Sequence, residues 1–133
     1  MSAPRLIEVV AAVVVRPEGV LLCQRPDGPH LPLLWEFPGG KIDAGESPRQ
    51  ALERELREEL DVASSIGSRV ATVEHDYPDK SVRIQFFAAD ITGAPRAVVH
   101  RELRWIAAAD LGDYAVPPAN RSVLRMVRDG TVR

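Results

Sequence analysis

A long β-branched run, "LIEVVAAVVV", lies near the start of the chain and ends at the turn signal "RPEG"; "VLLCQ" follows at once. That order predicts a strand, a hairpin turn and a second strand. The next stretch, "RPDGPHLPLLWEFPGG", is rich in Pro and Gly and reads as loop, with a short strand at 34–37. Ser47 is placed to cap a helix with Pro48 at its first position, where the missing N–H costs nothing, and the helix should run to about residue 60. Two β-type segments, "IGSRVATVEHDY" and "SVRIQFFAAD", flank "PDK" as a hairpin. "ELRWIA" reads as a short strand, "AADLGDY" as a helical turn or loop, and "VPPANRSVLRMVRD" as a last helix starting near Pro118. Strands on both sides of a central helix, with no repeat or linker, point to one α/β (α+β) domain over residues 1–133.

Composition narrows the function classes. The chain has 133 residues and a formal net charge of −2, so the basic footprint of a general nucleic-acid binder is missing. A small phosphorylated ligand remains open, because a bound metal can reverse the local charge. Cys23 is the single cysteine and lies in the apolar "GVLLCQR", which reads as a buried structural thiol with no intrachain disulfide. "VVAAVVV" sits between Glu8 and Arg16 and is too short to span a bilayer. With nothing resembling a signal peptide, the expected location is the cytoplasm.

The chemistry concentrates in "GGKIDAGESPRQALERELREELDV", which carries five glutamates and an aspartate between Glu46 and Asp61. At 100° per residue, Glu55, Glu58 and Glu59 fall within an arc of about 100°. Leu52, Leu56 and Leu60 form an apolar stripe beside them, so the carboxylates lie at the edge of the buried face. Unneutralised there, they would raise one another's pKa and weaken the fold. A hard divalent ion such as Mg²⁺, satisfied by carboxylate and water oxygens, resolves the conflict. The competing account is a solvated helix laced by pairs such as Arg49–Glu53 and Arg54–Glu58. Against it, Gly39 and Gly40 allow close backbone approach and unusual dihedrals just before a loop that returns Glu46 to the helix.

Gly40, Glu46 and "RELREELDV" together resemble the Nudix box, G-x5-E-x7-R-E-U-x-E-E-x-G-U with U aliphatic. Gly40, Glu46, Arg54, Glu55, Leu56, Glu58, Glu59 and Val62 match; Asp61 stands where the family has glycine, and Asp tolerates the left-handed region better than most residues. The resemblance implies a mixed β-sheet sandwiched between helices, and Mg²⁺- or Mn²⁺-dependent hydrolysis of a nucleoside diphosphate linked to a further group. It implies Glu55, Glu58 and Glu59 as metal ligands, with the Gly39 carbonyl beside them. Glu55 also becomes a candidate for orienting or deprotonating the attacking water. Arg54 and Glu46 resemble the pair that braces the loop, with Gly40 supporting it.

Beyond the box, "LLWEFPGGKIDAGE", "YPDKSVRIQFF" and "VPPANRSVL" are similar to the MutT-type members, which clear oxidised nucleotides such as 8-oxo-dGTP. That likeness implies Asn120 as the base-reading amide, whose donor and acceptor suit a purine edge with O6 and a protonated N7; the plainer reading is that Asn120 caps or begins the last helix. Arg25 and His30 align with the loop near nucleotide phosphate and sugar, while Phe37 and Tyr77 are candidates for a base pocket. Trp35 and Trp105 read as core, and His75 and His100 as surface or hairpin residues. The additional metal-binding glutamate of the MutT type falls on Val99, leaving Glu102 as the nearest replacement. A close alternative is hydrolysis of CTP or modified pyrimidine triphosphates. A non-catalytic sensor domain is opposed by the intact glutamates. The expected partner is a small nucleotide, with no nucleic acid or membrane, in a monomer or homodimer.

Overall fold

The computed structural model describes residues 5–29 and 31–132. In chain order its elements are β1 (Leu6–Val13), β2 (Val15–Arg16), β3 (Gly19–Gln24), β4 (Trp35–Glu36), β5 (Gly39–Lys41), α1 (Pro48–Leu60), β6 (Ser64–Tyr77), β7 (Lys80–Ile91), β8 (Glu102–Ile106) and α2 (Arg121–Arg128). Short 3₁₀ turns occupy Ala108–Asp113 and Pro118–Asn120. One sheet has the order β5-β1-β7-β6, with β1 and β7 parallel and the outer pairings antiparallel. In the second sheet β3 pairs antiparallel with β2, β4 and β8.

The β-branched run is not one arm of a hairpin. It breaks at Val14: β1 pairs with β7 from Leu6↔Ser81 to Val13↔Ala88, and only Val15 and Arg16 turn back onto β3. The cause is burial on both faces. Val10, Ala12 and Val14 pack into the core that holds Leu52, Leu56 and Leu60 of α1. Ala11 and Val13 enter the opposite core with Phe86 and with Val123 and Val127 of α2. An uninterrupted apolar run suits a strand covered on both sides, as parallel neighbours usually are. The mixed sheet therefore lies between the two helices, as expected, although β5 and the division of the strands into two sheets did not stand out in the chain.

α1 follows the local signals closely. The Ser47 hydroxyl accepts from the Gln50 amide, and the Gln50 side chain accepts from the Ser47 amide, which closes a capping box worth about 1 kcal/mol. Asp61 ends the helix at φ 56°, ψ 45°, in the left-handed region. Trp35 is 7% exposed and meets the Tyr114 ring edge-on, and Trp105 packs against the α1-side core under the Arg16 guanidinium. Cys23 is fully buried, and burial raises its thiol pKa well above the ordinary value, so it is inert core. No helix among the described residues is long and apolar enough to cross a membrane.

Candidate active site

Arg54 ties the loop before α1 to the helix. Its Nε and Nη2 donate to the two oxygens of Glu46 at 2.7 and 2.9 Å, a paired contact that fixes both planes. Glu46 Oε1 also accepts from the Asp43 amide at 2.9 Å, and Arg54 Nη2 donates to the Lys41 carbonyl at 3.0 Å. Nη1 reaches Glu55 Oε1 at 2.9 Å and Glu58 Oε2 at 3.2 Å. Hydrogen bonds from Arg54, then from the Asp43 amide, hold the Glu46 carboxyl below its usual range. Of the two i,i+4 pairs suggested by the sequence, only Arg54–Glu58 forms; Arg49 instead donates to the Gly67 carbonyl.

Gly39 and Gly40 serve close approach alone. A Cβ on Gly39 would stand 2.0 Å from the Val10 carbonyl oxygen, and one on Gly40 2.4 Å from the Glu55 carboxyl carbon. Neither glycine has a positive φ, so the expectation of unusual dihedrals is corrected: the requirement is room.

The three helix glutamates sit in different environments. The Glu55 side chain is 12% exposed and that of Glu58 59%. Burial raises the Glu55 pKa, against the opposing pull of Arg54. Glu59 is half-buried, and its Oε2 is buried with no hydrogen-bond partner. Burial first, then the charges of Glu55 and Glu36, push its pKa up to about 8. Among the described residues no three His, Cys, Asp or Glu side chains close into a metal-ligand group, since Glu55 and Glu58 turn to Arg54. The donor set nonetheless fits a hard divalent cation. It is all oxygen, and the ionised Glu59 carboxylate, with one oxygen buried and unpartnered, would be relieved by a positive charge beside it.

A cleft of about 310 Å³ opens beside Glu59 and brings most of the sequence candidates together. Gly39, Gly40 and Glu59 line it, as do Phe37, Tyr77 and Asn120. Asn120 is 6% exposed and begins α2, in line with the plainer reading, but its side chain makes no capping bond. Its Oδ1 accepts from the Phe37 amide at 3.4 Å across the cleft wall. Phe37 is itself fixed edge-on against Phe86, with ring centres 5.7 Å apart. Tyr77 is partly buried, which raises its pKa. Arg25 also lines the cleft, but donates to Glu36 at 2.8 Å and to the Leu31 carbonyl at 3.1 Å. His30 lies outside the described residues.

Two groups went unnoticed in the sequence. Glu36 lines the cleft with its carboxylate between Arg25 and His100, whose Nε2 is 3.2 Å from Glu36 Oε2. His100 is 8% exposed, so its assignment to the surface is corrected: the Arg101 amide bonds to Gln24, which draws this segment against β3. Lys80, directly across the hairpin from Tyr77, lines the cleft as well. The alternation of Trp35, Glu36 and Phe37 was the available signal for the first, and the hairpin register for the second.

Glu102 is not among the residues lining the cleft. It faces Gln24 across β3, and its carboxylate takes Arg104 Nε at 2.7 Å. Val99 is 51% exposed. Asp61 Oδ2 accepts from Arg96 at 3.2 Å, a pairing specific to having Asp at this position.

A family model described as the NUDIX domain matches residues 10–126. The chain belongs to the Nudix hydrolase family. Nudix hydrolases generally need a divalent metal, in keeping with the donor set around Glu59. A CTP pyrophosphohydrolase of Escherichia coli K12 is 37% identical over 121 residues, 90% of each chain. A putative 8-oxo-dGTP diphosphatase 2 of Mycobacterium tuberculosis H37Rv is 42% identical over 119 residues, covering 85% of this chain and 82% of its own. Among solved structures, a MutT NUDIX hydrolase from Burkholderia pseudomallei superposes with a TM-score of 0.84 at 29% identity, over 92% of this chain and 98% of that one.

Proposed function

We propose that this Nudix hydrolase is a Mg²⁺-dependent pyrophosphohydrolase of oxidised purine nucleoside triphosphates, with 8-oxo-dGTP as the type substrate. The products are the monophosphate and pyrophosphate, and the role is cleansing of cytoplasmic nucleotide pools ahead of DNA replication. The whole chain acts as one Nudix domain. The observation that carries the reading is that Asn120 and Glu59 line one cleft.

When bound, the metal neutralises the triphosphate and lowers the pKa of an attacking water. Glu55, Glu58 and Glu59 supply its carboxylate oxygens, with the Gly39 carbonyl alongside. Glu55, pressed against Gly40, is positioned to orient that water or take its proton. Arg54 holds Glu55 and Glu58 in register with the loop. At the base, the Phe37 amide occupies one lone pair of Asn120 Oδ1. The second lone pair accepts from a protonated N7, and the amide NH₂ donates to O6.

The resemblance to a CTP pyrophosphohydrolase supports a second reading, in which the same amide meets a cytosine edge. Pyrophosphate release with Mg²⁺ across 8-oxo-dGTP, dGTP, CTP and dCTP separates the two. A kcat/KM highest on 8-oxo-dGTP upholds the first, and one highest on CTP replaces it.

A further inference from the structure

A second cavity, of about 660 Å³, opens on the other face of the mixed sheet. Gln85 and Phe87 of β7 line it, whereas their alternates Val82 and Ile84 line the catalytic cleft. Ser47 and Arg49 from the start of α1 and Arg69 from β6 complete the wall with Pro48. Arg49 lies ten residues before Glu59 on α1, so the two sites are about 15 Å apart along the helix.

Every charged side chain in this wall is an arginine. Arg49 lies over the Phe87 ring, 5.2 Å from its centre, with Nη2 on the Gly67 carbonyl at 2.8 Å. Arg69 Nη1 donates to Gln85 Oε1 at 3.3 Å. Neither guanidinium meets a carboxylate among the described residues, and Glu53, one turn beyond Arg49, does not pair with it. The acceptors present each already take one bond, Ser47 Oγ from the Gln50 amide and Gln85 Oε1 from Arg69. The side chains lining the cavity still carry unused donors: the remaining N–H groups of two planar forks, the Gln85 amide NH₂ and the Ser47 hydroxyl. The helix cap is satisfied internally, so the arginines and not the helix end define the site.

We propose that this cavity is an anion site for a diphosphate group, either free pyrophosphate or the phosphate tail of a second nucleotide. Two guanidinium forks, each anchored by one bond that sets its plane, match an anion with several oxygens better than a single-charge ion.

Pyrophosphate, GDP and sulfate are titrated into the full chain at constant ionic strength with EDTA, so that the carboxylate site repels them. Calorimetry and amide NMR shifts are the readouts, and neither depends on hydrolysis. Saturable pyrophosphate binding is expected, with shifts at Arg49, Arg69, Gln85 and Phe87. Tighter pyrophosphate binding assigns the free anion, and tighter GDP binding assigns a nucleotide tail. Arg69→Ala should weaken binding at least ~10-fold, a loss of about 1.4 kcal/mol. Its kcat on a triphosphate with Mg²⁺ should remain unchanged. Arg69→Lys, which keeps the charge but loses the fork, should fall between. Sulfate binding equal to that of pyrophosphate, shifts confined to the catalytic cleft, or full affinity in Arg69→Ala would each overturn the assignment.

Discussion

Replacing Glu59 by Gln removes one buried charge while keeping the shape, and should strengthen the metal-free fold as it abolishes activity. The folded chain holds this carboxyl at a pKa of about 8, against 4.5 for the free group. The difference, 8 − 4.5, is about 3.5 units, or on the order of 5 kcal/mol at 1.36 kcal/mol per unit. Solvent reaches part of the group, so roughly half that figure, about 2 kcal/mol, is the working value. Because the folded form keeps its proton longer than the unfolded one, this penalty is absent below about pH 4.5. It grows as pH rises and is complete above pH 8. Gln does not titrate, but its NH₂ inherits the place of an oxygen that has no partner, at a cost of about 1 kcal/mol. The assay is urea unfolding with EDTA between pH 5 and pH 9. At pH 5 the variant should be equal to wild type or slightly weaker, and by pH 9 stronger by about 1 kcal/mol. With Mg²⁺ the wild type should recover its stability at high pH, the variant should not, and kcat should fall at least ~100-fold. A stability difference that stays flat with pH, or a variant weaker than wild type at pH 9, would refute the reasoning.

Three further outcomes follow from the geometry. Asn120→Ala should narrow the preference for 8-oxo-dGTP over dGTP by about 10- to 100-fold, since a paired base contact is worth roughly 1–3 kcal/mol; steady-state kinetics check it, and equal losses on all triphosphates would make Asn120 a support for Phe37 instead. Asp61→Gly removes the exposed pair with Arg96 but relieves a left-handed non-glycine residue, so thermal unfolding and kcat/KM should both stay near wild type. A large change in activity would reveal a role for the carboxylate. Gly40→Ala drives a methyl into the Glu55 carboxyl group and should cut kcat by about 100-fold with KM little changed, as expected for a misplaced catalytic group. Near-normal turnover would mean that Glu55 works from another position.

Where local chemistry decides the structure, the sequence was readable. Ser47, Pro48 and Gln50 start α1 by contacts within one turn, and Asp61 closes it in the left-handed region. The resemblance to the Nudix box likewise implied the Arg54–Glu46 brace, whose partners lie eight residues apart. What escaped depends on register between distant strands. The run broken at Val14 carries no phase, since both its faces are buried, and so held no sign of the break between sheets. Glu36 reaches His100 only because β4 and the segment before β8 both lie along β3. Glu102, the nearest carboxylate by count, is engaged by Arg104 two residues on and is not among the residues lining the cleft.

The site also shows where local preference yields to function. Leu52, Leu56 and Leu60 are ordinary core, Glu46 is doubly bonded, and Glu58 is paired in solvent. Glu59 alone among these side chains is left half-buried with an orphaned oxygen and a pKa several units too high. A helix selected only for stability would carry glutamine or leucine there, with nothing lost from packing or capping. Such a conflict, sharpest at Glu59 and milder at Glu55 on an otherwise consistent helix, marks positions kept for what they bind. On the proposed function, that occupant is a divalent cation arriving with the substrate's phosphates or ahead of them. Folding strength and metal affinity therefore pull in opposite directions at this residue, and raising the pH should weaken the metal-free chain while tightening its hold on the metal.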